Sequence, residues 1–234
     1  MPVNISILKV ILLIGILGAV PVAGAFGDKG DTALLEATVK PWQGDLDGML
    51  DRGLIRILTA YNPLFFSYDG IEPRGIVVEG ARHFEARINQ WFGKKGRPIN
   101  VVVIPMPRDK ILPYLIAGRG DIAAANLTIT PARSKIIDFA NPGYTNMREL
   151  VVTGPAGSHI KNLDDLAKVG LRIRKSSSYY EHVLAINLER QKNGREAIPL
   201  YPADENLEDY DLLDMVNVGV VPAIIVDSHK VALW

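Results

Sequence analysis

GRGDIAAANLTITPARSKIIDFANPG, residues 118–143, is the stretch on which the reading of this chain turns. Residues 121–125 form an apolar run with the length of a short buried strand, and the run ends in a polar tip. Asn126, Thr128 and Thr130 place side-chain donors just past its carboxyl end, the edge where open α/β sheets hold ligands. Thr130-Pro131 has the form of a helix N-cap followed by proline at the first helical position. Arg133 then falls in the first turn. A guanidinium beside helix-terminal N–H groups makes a fork for a carboxylate. Each residue also has a plainer use: Thr130 as a cap, Arg133 as a surface arginine.

The flanking sequence alternates strands and helices. Before the stretch come a β-branched strand at 53–59, a helix at 78–92 and a buried strand at 100–105. The helix carries Ala81, Phe84, Ile88, Trp91 and Phe92 at helical spacing, and Gly93 and Gly96 end it. A second helix at 108–117 is broken near its start by Pro113 and closed by Gly118. With residues 121–125 the order is βαβαβ, the pattern of a parallel sheet with covering helices. Asn141-Pro142-Gly143 interrupts it. Beyond lie strands at 149–153, 171–174, 198–201 and 223–226, with helices at 163–169, 179–191 and 206–217. They make a second α/β unit.

Two further places could meet a ligand. Ser176-Ser177-Ser178 joins a strand to a helix start, so hydroxyls and backbone N–H groups there could face an anion or simply cap the helix. Tyr61, Phe65 and Phe66 follow the first strand and could stack on an apolar or cationic group, or pack in the core. Asp227 follows the buried run 223–226, where an acid could pair with an ammonium or serve a turn.

Residues 1–25 put Lys9 before an apolar run at 10–20, then Pro21 and a small-x-small Ala23-Gly24-Ala25. This is the layout of a secretory signal peptide, with an uncleaved N-terminal anchor as the alternative. Residues 26–50 mix Gly, Asp and short apolar patches and read as a linker.

Composition removes several classes of function. The 234 residues balance 26 Lys+Arg against 26 Asp+Glu, so a globally basic nucleic-acid binder is disfavoured. There is no Cys, hence no disulfide, thiol nucleophile, Cys-based zinc site or iron–sulfur cluster. The four histidines form no close pair, and neither a P-loop, a dinucleotide fingerprint nor a nucleophile elbow occurs. No metal or cofactor is expected; carboxylates are plentiful, and a glycosidase needs only two placed well, but no pair stands out.

GDIAAANLTITPARSKIIDFANP and the later YDLLDMVNVGVVPAIIVDSHKVAL resemble segments of the bacterial extracellular solute-binding proteins of the polar amino acid class, family 3. The likeness runs from about Gly53 to Trp234. GRGDIAAANLTIT is also similar to the solute-binding-type module that precedes a lysozyme-like catalytic domain in membrane-bound lytic transglycosylases. The resemblance implies an α/β, two-lobed, type II periplasmic binding protein-like fold that closes over its ligand. Lobe one would be 51–143, lobe two 144–222, and 223–234 a return crossover. The chain ends before the strand and helices that usually complete lobe one, so that part is expected to be missing. By the same resemblance Arg133 grips a ligand carboxylate, and Asn126 and Thr128 add donors. Ser178 supplies a second hydroxyl, Asp227 holds the ammonium, and Tyr61 lies against the ligand side chain. Ser176 departs from the family's usual glycine.

Three functions follow as expectations. The first is periplasmic binding of an amino acid or short peptide without catalysis, serving an ABC transporter permease. The second is a detached regulatory module of a membrane-associated lytic transglycosylase, sensing peptidoglycan fragments beside its catalytic domain. The third is a solitary enzyme on the same fold, which no acid/base pair in the sequence supports.

Overall fold

The computed structural model describes residues 29–234, apart from Lys95, Tyr144 and Asn146. The leader expected at 1–25 lies outside the described residues. The described residues divide into two compact units, the first running up to Met106 and taking in Lys110–Asn126, the second made of Pro107–Asp109 with Leu127–Trp234. Residues 127–143 thus pack with the second unit, not the first as expected.

In the first unit, β1 (Leu54–Ala60) lies between β4 (Asn100–Met106) and β5 (Ile122–Ala123), all parallel. Every residue of β1 is buried, as befits a central parallel strand. Antiparallel β2 (Ser67–Asp69) and β3 (Glu72–Arg74) form a hairpin. α3 (Ile76–Phe92) follows and buries Val77, Val78, Ala81 and Ile88. Trp91 and Phe92, expected on that buried face, are exposed. Pro113 sits inside α4 (Arg108–Ile116) without interrupting it.

Of the linker expected at 26–50, the described residues are largely helical: α1 (Lys29–Val39) and α2 (Leu46–Arg52). Arg56, on β1 with no exposed surface, reaches this segment. Its guanidinium donates to Lys40 O at 2.8 Å, Gly118 O at 2.9 Å and Asp121 Oδ1 at 2.9 Å. Trp42 N donates to Gly118 O at 2.8 Å, and the Arg52 guanidinium lies 4.1 Å from the Trp42 ring. One buried cation therefore gathers the carbonyls of the N-terminal segment. Asp121 is spent on this cluster through Arg52, Arg56 and the Arg56 N–H, and β5 starts only after it.

The second unit holds antiparallel β6 (Glu149–Thr153) and β9 (Ala223–Asp227), and parallel β7 (Leu171–Ile173) and β8 (Leu200–Pro202). α5 (Leu163–Val169) is capped by Asn162, and α6 (Ser178–Lys192) by Ser177. Glu208 and Asp211 form a capping box on α7 (Asp209–Asn217). α8 (Ser228–Leu233) follows β9 directly. Leu166, Leu171, Ile173, Tyr179 and Val183 pack with Ala223 and Ile225. Leu212, Leu213 and Val216 pack with Ile224 and Val226. β9 is thus buried on both faces, and Asp227 ends it.

Candidate functional site

The segment after Asn126 does not begin an α-helix. It makes one 3₁₀ turn, Arg133–Lys135, entered through Thr130, whose Oγ1 accepts from Arg133 N at 3.3 Å. Thr130 thus bonds within the turn rather than at its N-cap, which is Ala132 and has no side-chain cap bond. Arg133 is buried, with 6% of its surface exposed, and is not a surface arginine. It donates to Thr128 O at 3.2 Å and to Ser176 O at 3.0 Å, and its Nε lies 3.4 Å from Glu181 Oε1. Burial lowers its basicity, and Glu181 acts against that. These bonds tie the turn to the start of α6, which is why it packs with the second unit.

The serine triplet divides its work. Ser176 N and Oγ donate to Glu205 at 3.2 and 2.5 Å. Ser177 caps α6 by accepting from Tyr180 N at 3.2 Å. Ser178 Oγ donates to Thr128 Oγ1 at 3.1 Å. Thr128, Arg133 and Ser178 are thus brought together: one guanidinium, two hydroxyls and a helix start, a set suited to an anion.

Asp227 belongs to a second cluster. Its N–H donates to the Tyr179 hydroxyl at 3.1 Å, and its Oδ2 lies 3.2 Å from Lys230 Nζ. Lys230 also donates to Asp209 Oδ2 at 2.5 Å and to the Tyr179 hydroxyl at 3.0 Å. Arg174 pairs with Asp209 and with Glu208, and Glu208 takes Arg108 at 2.6 Å. Burial alone would raise the Asp209 carboxyl, but Lys230 and Arg174 outweigh it and hold it below the usual carboxylate range. Burial, with Asp209 and Asp227 beside it, pushes the Tyr179 phenol well up. The acid expected to hold a ligand ammonium thus already carries a lysine.

Tyr61 and Asn126 lie in the first unit. Tyr61 is 57% exposed, with its ring centroid 6.3 Å from that of Phe66, which is buried like Phe65. Asn126 has a left-handed backbone, φ 49°, which asparagine tolerates better than most residues. Among the described residues no group of His, Asp or Glu could hold a metal ion, and no helix is long and apolar enough to cross a membrane. Glu181, Glu205, Glu208, Asp209 and Lys230 escaped the reading of the sequence. The spacing Glu208-x-x-Asp211 signals a cap, but nothing local marks the others as charge partners.

A parallel α/β unit followed by a second α/β unit is the architecture of the type II periplasmic binding class. The neighbours among solved structures are of that class. The family model of the bacterial extracellular solute-binding proteins, family 3, matches residues 55–220, and the chain belongs to that family. A membrane-bound lytic murein transglycosylase F of Maricaulis maris (strain MCS10) is 30% identical over 187 residues. That match covers 76% of this chain but 36% of the transglycosylase. A probable histidine-binding protein of Neisseria gonorrhoeae is 29% identical over 110 residues, 47% of this chain and 38% of that protein. Among solved structures, an ancestral arginine-binding protein bound to arginine is 27% identical with a TM-score of 0.55, covering 78% of this chain and 73% of the other.

Proposed function

We propose that the chain binds an amino acid or short peptide by its carboxylate and ammonium groups and carries out no chemistry. One observation carries the reading. Arg133 is buried, yet its ion-pair partner Glu181 sits 3.4 Å away with 37% of its side chain exposed. An incoming carboxylate can replace so loose a partner at little cost. Thr128 and Ser178 add hydroxyls to the same place, and Asp227 takes the ammonium side. Tyr61 and Asn126 keep the roles that the resemblance gives them, an aromatic for the ligand side chain and a further donor. Export to the periplasm and delivery to a transporter permease complete this reading.

The likeness to the Maricaulis transglycosylase supports a second one, a regulatory module that senses peptidoglycan fragments for a catalytic domain. A thermal-shift screen with free amino acids and cell-wall stem peptides separates the two. A ligand at 100 times its dissociation constant adds about 2.7 kcal/mol, or roughly 5–11 °C in a domain of this size. Amino acids raising the melting temperature support the first reading, and stem peptides alone support the second. No shift with any of them, or an equal shift in Arg133→Ala, contradicts both.

A further inference from the structure

Lys230 lies three residues beyond Asp227, on the short helix α8 that leaves β9 without a linker. Its ammonium is held by Asp209 Oδ2 at 2.5 Å, the Tyr179 hydroxyl at 3.0 Å and Asp227 Oδ2 at 3.2 Å, and stands 5.5 Å from the Tyr179 ring centroid. The side chains of Asp209, Asp227 and Lys230 are 6%, 12% and 13% exposed. Two carboxylates, a hydroxyl and an aromatic ring are the groups that recognise a primary ammonium. Here that ammonium comes from the chain itself.

Charge explains why this matters for a ligand. Arg108, Arg174 and Lys230 balance Glu208, Asp209 and Asp227. A second ammonium at Asp227 would find its charge already matched and a like charge beside it. Lys230 is also tethered, so its effective concentration at Asp227 exceeds that of a dilute free amine. We propose that Lys230 is a built-in substitute for a ligand ammonium and competes with it for Asp227. A free amino acid must displace the lysine to place its own ammonium there, and so binds more weakly than it would without Lys230. The inference rests on the reading of Asp227 as ligand-facing.

The test uses the whole chain and Lys230→Met, which keeps the volume and removes the charge. Methylammonium chloride should raise the melting temperature of Lys230→Met in a saturable way, by about 3–6 °C at ten times its dissociation constant. Tetramethylammonium chloride, too large for the cradle, should not, and neither salt should specifically stabilise the wild type. The charge-balanced double variant Asp227→Asn with Lys230→Met should lose most of the methylammonium response. If Lys230→Met is recovered unfolded, its refolding yield with each salt gives the same answer. Calorimetry with the free amino acids and their N-acetyl forms reads the competition. The preference should move at least tenfold toward free amino acids in Lys230→Met. Equal effects of the two salts, while either class of compound binds, overturn this inference alone. Methylammonium rescue with no binding of either class overturns both the inference and the proposed function.

Discussion

At the scale of single residues, two arginines divide the labour. Arg56 is structural: its charge is matched by Asp121 and its remaining donors by backbone carbonyls. Arg56→Met leaves those carbonyls without a donor and weakens the compensation of buried Asp121. Breaking a buried pair costs about 3–5 kcal/mol, so urea unfolding should show a loss of that size. An unchanged midpoint would remove Arg56 as the anchor of the N-terminal helices. Arg133 was legible in the sequence because a polar tip after an apolar run, then Thr-Pro and an arginine, is a local pattern. Lys230 and Asp209 were not, because they pair across 21 positions and no local spacing records such a contact. The same holds for Glu205 on Ser176, 29 positions apart.

At the scale of elements, the start of α6 is the piece on which the site is built. Ser177→Ala removes the cap bond to Tyr180 N and should cost about 1 kcal/mol, read by thermal or urea unfolding. Ser178→Ala keeps the cap, so it should melt close to the wild type while weakening ligand binding. A Ser178→Ala loss equal to that of Ser177→Ala would show that its hydroxyl is structural. Gly75 precedes α3 with φ 129°, and a Cβ there would fall 2.2 Å from Phe65 O. Gly75→Ala should therefore be strongly destabilising in the same measurement, whereas Gly80→Ala, with open space around it, should not. Elements with strong periodicity or clear caps were legible: β6 and α5 fall where the sequence puts them. β5 came out shorter, since Asp121 is drawn into an ion cluster. Residues 26–50 read as a linker because nothing local records that Arg56, a cation hidden in an apolar strand, bonds to the carbonyls of Thr38, Lys40 and Trp42.

At the scale of the whole molecule, the buried charges of the second unit set its response to acid. Asp209 has a folded pKa below the usual carboxylate range, with Lys230 and Arg174 as the cause, and Arg108 also near it. It therefore contributes stability that is present above its unfolded pKa, about 4, and lost as pH falls through the lower folded value. Unfolding midpoints measured between pH 6 and pH 2.5 should fall in that window. Asp209→Asn, already lower at neutral pH, should show a flatter dependence, and an equally steep one would assign the acid response elsewhere. The two-unit α/β class was legible from the order of strands and helices. The division between units was not, because it turns on the hydrogen bonds of Arg133 to Thr128 and Ser176. The account stands most directly on a calorimetric titration of the best-stabilising carboxylate ligand into the wild type and Arg133→Ala. Loss of a buried charge partner should weaken binding by about 2 kcal/mol or more, roughly 30-fold. Equal dissociation constants for the two proteins would show that the carboxylate does not bind at Arg133.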